Sequence, residues 1–371
     1  MADSINELTL KLANYLLVNS GKRNTFSISG FIAYLTLSLV NKGIKGPSKD
    51  QLSDFLNCNY SLKEISYQIY AVEYNCIDYF GIEEFYNVGS VKSAFFHSQL
   101  PVESFKQMAL ESYDTELHPI DPTNNDRQIE TINEWGKTLV DVPFSDIFTD
   151  LYKDEISLLI INEYYVCFQW KIPYMKRLTT NKIFTDINSE IIIVETMRKI
   201  EYLKYYNDKD LRADIVFVPL QETNMSAAIV LPHENNIKDV LKRMNSQKMN
   251  KWFNDSLPKI IDLYLPKFEF INKINLKNFL KQNNLNFLFD EIEADLTGII
   301  KDGGYINDYI HASSISINEI GSYLTPPKRD PIIHFGSTTT LTFMVNRPFV
   351  FYLFNITNHL VLHLSVVTQK I

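Results

Sequence analysis

Apolar residues at helical spacing open the chain: Leu8, Leu10, Leu12, Leu16 and Leu17 predict an amphipathic helix over Asp3 to Asn19. A second run, Ser29 to Lys42, is closed by Gly43, and Ser48 with Gln51 three residues on has the form of a capping box starting a third helix. Two more helical patterns follow over Pro101 to Tyr113 and Asn125 to Val140, the latter with Ile129, Ile132, Trp135 and Leu139 on one face. The first third therefore reads as helical.

After Ser157 the period changes. Short β-branched and aromatic runs at Leu158 to Tyr165, Ile191 to Val194, Ile215 to Pro219, Ala227 to Leu231 and Ile260 to Leu265 predict strands. Helices return at Ile237 to Asn254 and Leu276 to Asn284. Strands at Ile315 to Asn318, Thr339 to Val345, Phe349 to Asn355 and Val361 to Val367 close the chain. Blocks of helices and strands, without βαβ alternation, predict an α+β fold. No repeat or low-complexity linker divides residues 1–371, so one large domain is expected.

Composition adds exclusions. Hydrophobic residues make up 45% of the chain and charged ones 22%, enough for a sizeable core. Lys+Arg 36 against Asp+Glu 44 gives a net charge of −8, and no basic run occurs, so nucleic acid is not an expected partner. No apolar stretch reaches membrane-spanning length, and the acids near Met1 do not resemble a signal peptide. Cytoplasmic and secreted locations both stay open, since Asn59, Asn224, Asn254 and Asn355 stand in Asn-x-Ser/Thr triplets. The composition is poor in Gly and rich in Asn, Ile, Tyr and Lys, which suggests an AT-rich genome such as that of a virus or parasite.

Catalytic chemistry is not indicated. No nucleophile elbow, zinc, Walker or dinucleotide motif occurs, and the chain is not expected to be an enzyme or to need a cofactor or metal. Asp290, Glu291, Glu293 and Asp295 lack the spacing of a calcium loop and read as a solvated run. Cys167, in an aromatic strand, reads as a buried small hydrophobe; Cys58 and Cys76 complete a set too sparse for a disulfide framework. One segment breaks the pattern: a connection of 17 residues, Gly321 to Ser337, carries three prolines. Connections of that length are usually functional or disordered.

Motifs resembling one family run through nearly the whole chain. Gly43-Ile44-Lys45-Gly46-Pro47-Ser48-Lys49-Asp50-Gln51 resembles the serpin GxKGxTxxQ turn, and Ile132-Asn133-Glu134-Trp135 its INxW helix. Asn162, Tyr165, Trp170, Pro173, Tyr174, Thr179 and Phe184 follow the NxxY to W to PF pattern. Leu265-Pro266-Lys267-Phe268 resembles LPKF, and Ala294-Asp295-Leu296-Thr297-Gly298 resembles ADLSG. His311 with Asn318-Glu319-Ile320-Gly321 matches the strand leading to the family's hinge, and Phe343 to Phe349 matches FxxNRPF.

The resemblance implies a serpin fold of three β-sheets with eight or nine helices and an exposed reactive-centre loop at about 321–338. It also implies a serine protease or other protein as partner, with the chain acting as a monomer. Counted from the hinge Glu319 as the family counts, the scissile bond falls between Phe335 and Gly336, suited to a chymotrypsin-like primary pocket; Arg329-Asp330 is the trypsin-like alternative. Inhibitory serpins are cleaved in this loop, which then enters the main sheet as a central strand and distorts the acylated protease.

The hinge departs from that pattern. Inhibitory hinges carry Thr and small residues, whereas Glu319 and Gly321 are followed by Ser322, Tyr323, Leu324, Thr325, Pro326, Pro327, Lys328, Arg329 and Asp330. In a central strand Pro326 and Pro327 would delete one ladder bond on each side. Alternation that turns Ser322, Leu324 and Pro326 inward turns Lys328 and Asp330 inward as well. Orphaned carbonyls at roughly 1–3 kcal/mol each, plus buried charge, sum to about 5–10 kcal/mol against insertion. Gly30 and Ile32 also stand where many members carry Pro and Ser. Two readings follow: a non-inhibitory or weakly inhibitory binder, or an inhibitor of a chymotrypsin-like protease using Phe335.

Overall fold

The computed structural model of the protein describes residues 1–19, 25–57, 80–139, 155–322 and 340–369. Helix α1 (Ala2–Asn19) leads through β1 (Phe26–Ile28) into α2 (Gly30–Gly43) and α3 (Pro47–Phe55). Then come β2 (Gly89–His97), α4 (Glu103–Tyr113), β3 (Thr115–Pro119), α5 (Asn125–Gly136), β4 (Leu158–Val166) and β5 (Phe168–Gln169). The middle is mostly sheet: β6 (Thr180–Thr185), β7 (Ile191–Asp208), β8 (Ala213–Pro219) and β9 (Met225–Pro232), then α6 (Ile237–Arg243) and α7 (Ser246–Asn254). Last are β10 (Leu257–Pro266), β11 (Phe268–Asn275), α8 (Lys277–Gln282), β12 (Ile306–Ile317), β13 (Gly321–Ser322), β14 (Leu341–Met344), β15 (Phe349–Asn355) and β16 (Val361–Val367).

The α+β class is as expected, but among the described residues hydrogen bonding joins the strands into two sheets where three were expected. One sheet runs β1-β16-β15-β9-β8-β7-β10-β14 with β6 on β7; the other runs β3-β2-β4-β12-β13-β5 with β11 on β12. The cause is β7: its 18 residues pair β6 at the start, β10 through the middle and β8 at the end, so two sheets share one ladder.

Local signals explain most boundaries and some misreadings. Ser29 caps α2 by accepting a hydrogen bond from Ile32 N, as Asn124 does for α5 from Arg127 N. The Ser48–Gln51 capping box does not form. Gly46, at φ +67°, turns the chain instead, and Pro47 occupies the first helical position. The helix expected over Ile237 to Asn254 is broken: Met244 is extended, and Asn245 starts α7 by accepting from Lys248 N. Sheet also enters the first third through β2 and β3; Ser93 to His97 of β2 are buried on both faces of the sheet and so show no alternation.

Thirteen of the 14 residues of α2 are buried, which makes it a central helix between α1 and the β16 side of the larger sheet. Gly30 permits the contact with α1: a Cβ there would lie 2.0 Å from Thr9 Oγ1 and 2.6 Å from Thr9 Cα. Gly30→Ala is therefore expected to destabilise by about 1–3 kcal/mol, read as a lower urea midpoint. A second, smaller core lies under α5, where Ile132 and Trp135 cover Leu159, Ile161 and Ile310.

Among the described residues no helix is long and apolar enough to cross a membrane. Asn224 and Asn254 are exposed, Asn355 is half-buried and accepts from Thr357 N, and Asn59 lies outside the described residues.

Candidate functional site

The seven-stranded sheet has a seam at its centre. Strands β4 and β12 pair directly and in parallel from Leu158↔Ile306 to Tyr165↔Ser314. Beyond that point they part, and Gly321–Ser322 fills the gap as β13, antiparallel to both neighbours: Ser322↔Ile317 on one side, Ser322↔Phe168 and Gly321↔Gln169 on the other. The Ser322 side chain points inward, buried, and its Oγ donates to Val166 O at 2.6 Å. Gly321 is required there. Its φ is +151°, and a Cβ would lie 2.0 Å from Phe168 O.

The turn into β13 is tied down by Trp170, whose backbone N donates to Ile320 O at 2.8 Å and whose Nε1 donates to Asn318 O at 3.0 Å. Glu319 anchors it to the larger sheet: its Oε1 accepts from Thr179 Oγ1 at 2.7 Å and lies 3.0 Å from Lys267 Nζ. Burial alone would raise this carboxyl, but the hydrogen bonds from Thr179 and Lys267 outweigh it and hold Glu319 below the usual carboxylate range.

Inside the seam, Asn162 gathers four hydrogen bonds. Its Nδ2 donates to Thr36 Oγ1 at 3.0 Å and Ser93 Oγ at 2.8 Å; its Oδ1 accepts from Tyr309 OH at 2.5 Å and Thr36 Oγ1 at 3.3 Å. Opposite Asn162 in register stands His311, whose Nε2 accepts from Ser29 N at 3.3 Å. Thus α2 reaches the seam through its cap and its second turn.

A family model described as "Serpin (serine protease inhibitor)" matches residues 3–369. The chain is a serpin. Serpins are non-enzymatic inhibitors and binders, which agrees with the lack of catalytic motifs. "Serpin B11" of Homo sapiens is 23% identical, covering 94% of this chain and 93% of that protein; "Serine proteinase inhibitor 1" of Monkeypox virus is 25% identical, covering 87% and 90%. Human thyroxine-binding globulin, in a crystal structure complexed with its hormone, superposes with a TM-score of 0.84 at 18% identity over 100% of this chain and 98% of that one. A serpin of the trematode Schistosoma haematobium does so at 0.82 and 20%, over 100% of both chains.

Of the hinge residues read from the sequence, Glu319, Gly321 and Ser322 come together at the top of the seam. Leu324, Pro326 and Pro327 lie outside the described residues, as do Phe335, Gly336, Arg329 and Asp330. The acidic residues Asp290, Glu291 and Glu293 are exposed as expected, whereas Asp295 is half-buried and accepts from Thr297 N and Oγ1; among the described residues no cluster is placed to hold a metal ion. Cys167 is half-buried where full burial was expected, because it sits at the break between β4 and β5 that admits β13. Sequence reading missed Lys267 as the partner of Glu319, and it missed Glu163 and His363. The signal for the last two was present: each is a polar residue inside a continuous apolar strand.

Proposed function

We propose that this serpin acts by binding a protein partner with its loop displayed, and that it inhibits proteases weakly or not at all. The register of Ser322 is the observation that supports this. Continued antiparallel down the seam, it would set Pro326 beside Tyr164 and Ser313, Lys328 between Asn162 and His311, and Asp330 between Ile160 and Tyr309. All six of those neighbours are fully buried. An inserted Lys328 would bring a cation against an imidazole in a site that holds no carboxylate, and Asp330 would meet an apolar strand.

A second reading, suicide-substrate inhibition of chymotrypsin-like proteases through Phe335, has one observation in its favour. Ser322 is already paired on both edges, which is the first step of insertion. Incubation with chymotrypsin and with cathepsin G separates the two readings on a denaturing gel. The binder is expected to give cleaved chain without a complex stable in SDS; a band at the summed mass would establish the inhibitor.

A further inference from the structure

Two successive register pairs of the seam, Asn162↔His311 and Glu163↔Ala312, place ionisable groups on both faces of the sheet. On the outer face Glu163 is fully buried, and among the described residues neither carboxylate oxygen has a hydrogen-bond partner. Lys92 stands directly opposite on β2, and Lys273 lies across Ala312 on β11. Lys92, however, is drawn to the end of α5: its Nζ lies 3.4 Å from Trp135 O, bonds Thr138 Oγ1, sits 4.6 Å from the Trp135 ring and lies 3.7 Å from Glu116 on β3. Glu116 is further occupied by His118 and Trp135 Nε1. The buried face of α5 contributes Gln128, Ile132 and Trp135; its charged residues Asp126, Arg127, Glu130 and Glu134 are exposed.

On the inner face a second histidine joins the first. His311 and His363 are both fully buried, and Nδ1 of each has no partner among the described residues. They flank Tyr164, with ring centroids 5.0 Å and 6.1 Å from it. The surrounding strands and α2 offer Ser27, Ser29, Asn162, Tyr309, Ser313 and, 2.8 Å from His363 Nε2, Ser365. Both tyrosines are held neutral by burial, and the charge that bears on His363 is that of His311 itself.

We propose that the β4–β12 seam is a two-sided proton latch: it stays closed only while Glu163 on its outer face and the His311–His363 pair on its inner face are all uncharged. Separating the strands would admit water to both faces, so each group would regain ordinary acidity. The two faces then respond to pH with opposite sign, and the device works whether or not the loop ever inserts.

Burial raises Glu163 from 4.5 to about 8. Its contribution to closure is complete below 4.5 and is lost as pH rises through 8, with opening releasing one proton in between. Burial lowers both histidines from 6.5 to about 3. Their contribution is complete above 6.5 and is lost as pH falls toward 3, with opening taking up as many as two protons. Closure is therefore tightest at mildly acidic pH, where the two effects oppose one another.

Amide hydrogen exchange of the intact chain at Asn162, Tyr164, His311 and Ser313, corrected for intrinsic rates, tests this from pH 4 to 8.5. Wild-type protection is expected to peak near pH 6 and to fall on the alkaline side by up to about tenfold per pH unit. Glu163→Gln should abolish the alkaline limb and steepen the acid limb between pH 4.5 and 6.5, where release from Glu163 no longer opposes uptake by the histidines. Added to Glu163→Gln, His363→Met should roughly halve the logarithmic slope of the acid limb; His363→Gln, also uncharged, substitutes for it if the Met variant does not fold. An alkaline limb that persists in Glu163→Gln, or an acid limb of unchanged slope in the His363 variant, overturns the proposal.

Discussion

Cleavage near Phe335 is expected to leave the thermal midpoint of this serpin unchanged, whereas the same cleavage in a Pro326→Thr, Pro327→Ala, Lys328→Ala, Asp330→Ala variant should raise it by roughly 10–20 °C. The argument rests on the register of Ser322, which continues into a seam lined by buried residues. Wild-type insertion would leave a ladder partner unpaired at each proline and would bury two ions. Those penalties of about 5–10 kcal/mol offset much of what pairing a strand on both edges returns. The substitutions remove them, and at roughly 2 °C per kcal/mol for a large domain the gain becomes visible in a melting curve. A sharp rise in the cleaved wild-type chain would show that the loop inserts despite its sequence, and the inhibitory reading would then stand.

Asn162→Leu should cost about 3–5 kcal/mol, the largest loss expected from one exchange in the seam. The two side chains branch at the same carbon, but the methyls of Leu are bulkier than the amide, so some overpacking adds to the loss. What is lost is the set of bonds from Asn162 to Thr36, Ser93 and Tyr309, three hydroxyls at most 5% exposed that have no water to turn to. Each buried polar group stranded in this way costs roughly 1–3 kcal/mol, and partial rearrangement keeps the total below the sum. Urea unfolding measures it, with Asn181→Ala on the exposed side of β6 as the comparison, expected to change stability by less than about 0.5 kcal/mol. Equal losses in the two variants would mean that the Asn162 network does not hold the seam.

Much of the architecture was legible without coordinates. The apolar stripe of α1, the strands around Leu158, Ala227 and Val361, and the motifs from Gly43 to Phe349 identify class and family, since they follow from residues a few positions apart. Misreadings arose where local signals competed. Ser48 and Gln51 have the form of a cap, yet Gly46 turns the chain first; Ile237 to Asn254 keeps a helical period across a break at Met244. The doubly covered stretch Ser93 to His97 of β2 shows no alternation and so looked like no element in particular.

The proline- and charge-rich composition after Ser322 is a property of the sequence alone, and so is the expectation that it resists becoming a strand. Only the tertiary structure decides which neighbours that strand would meet, because the register of β13 against β12 and β5 is set by pairings among segments up to about 150 residues apart. The same holds for Glu163, His311 and His363. A sequence names these residues as polar, but burial of all three at one seam arises only when β2, β4, β12, β16 and the α2 cap close around them. Chain-local forces act over a helical turn or a strand pleat, whereas desolvation depends on everything that packs within a few ångströms, whatever its position in the chain.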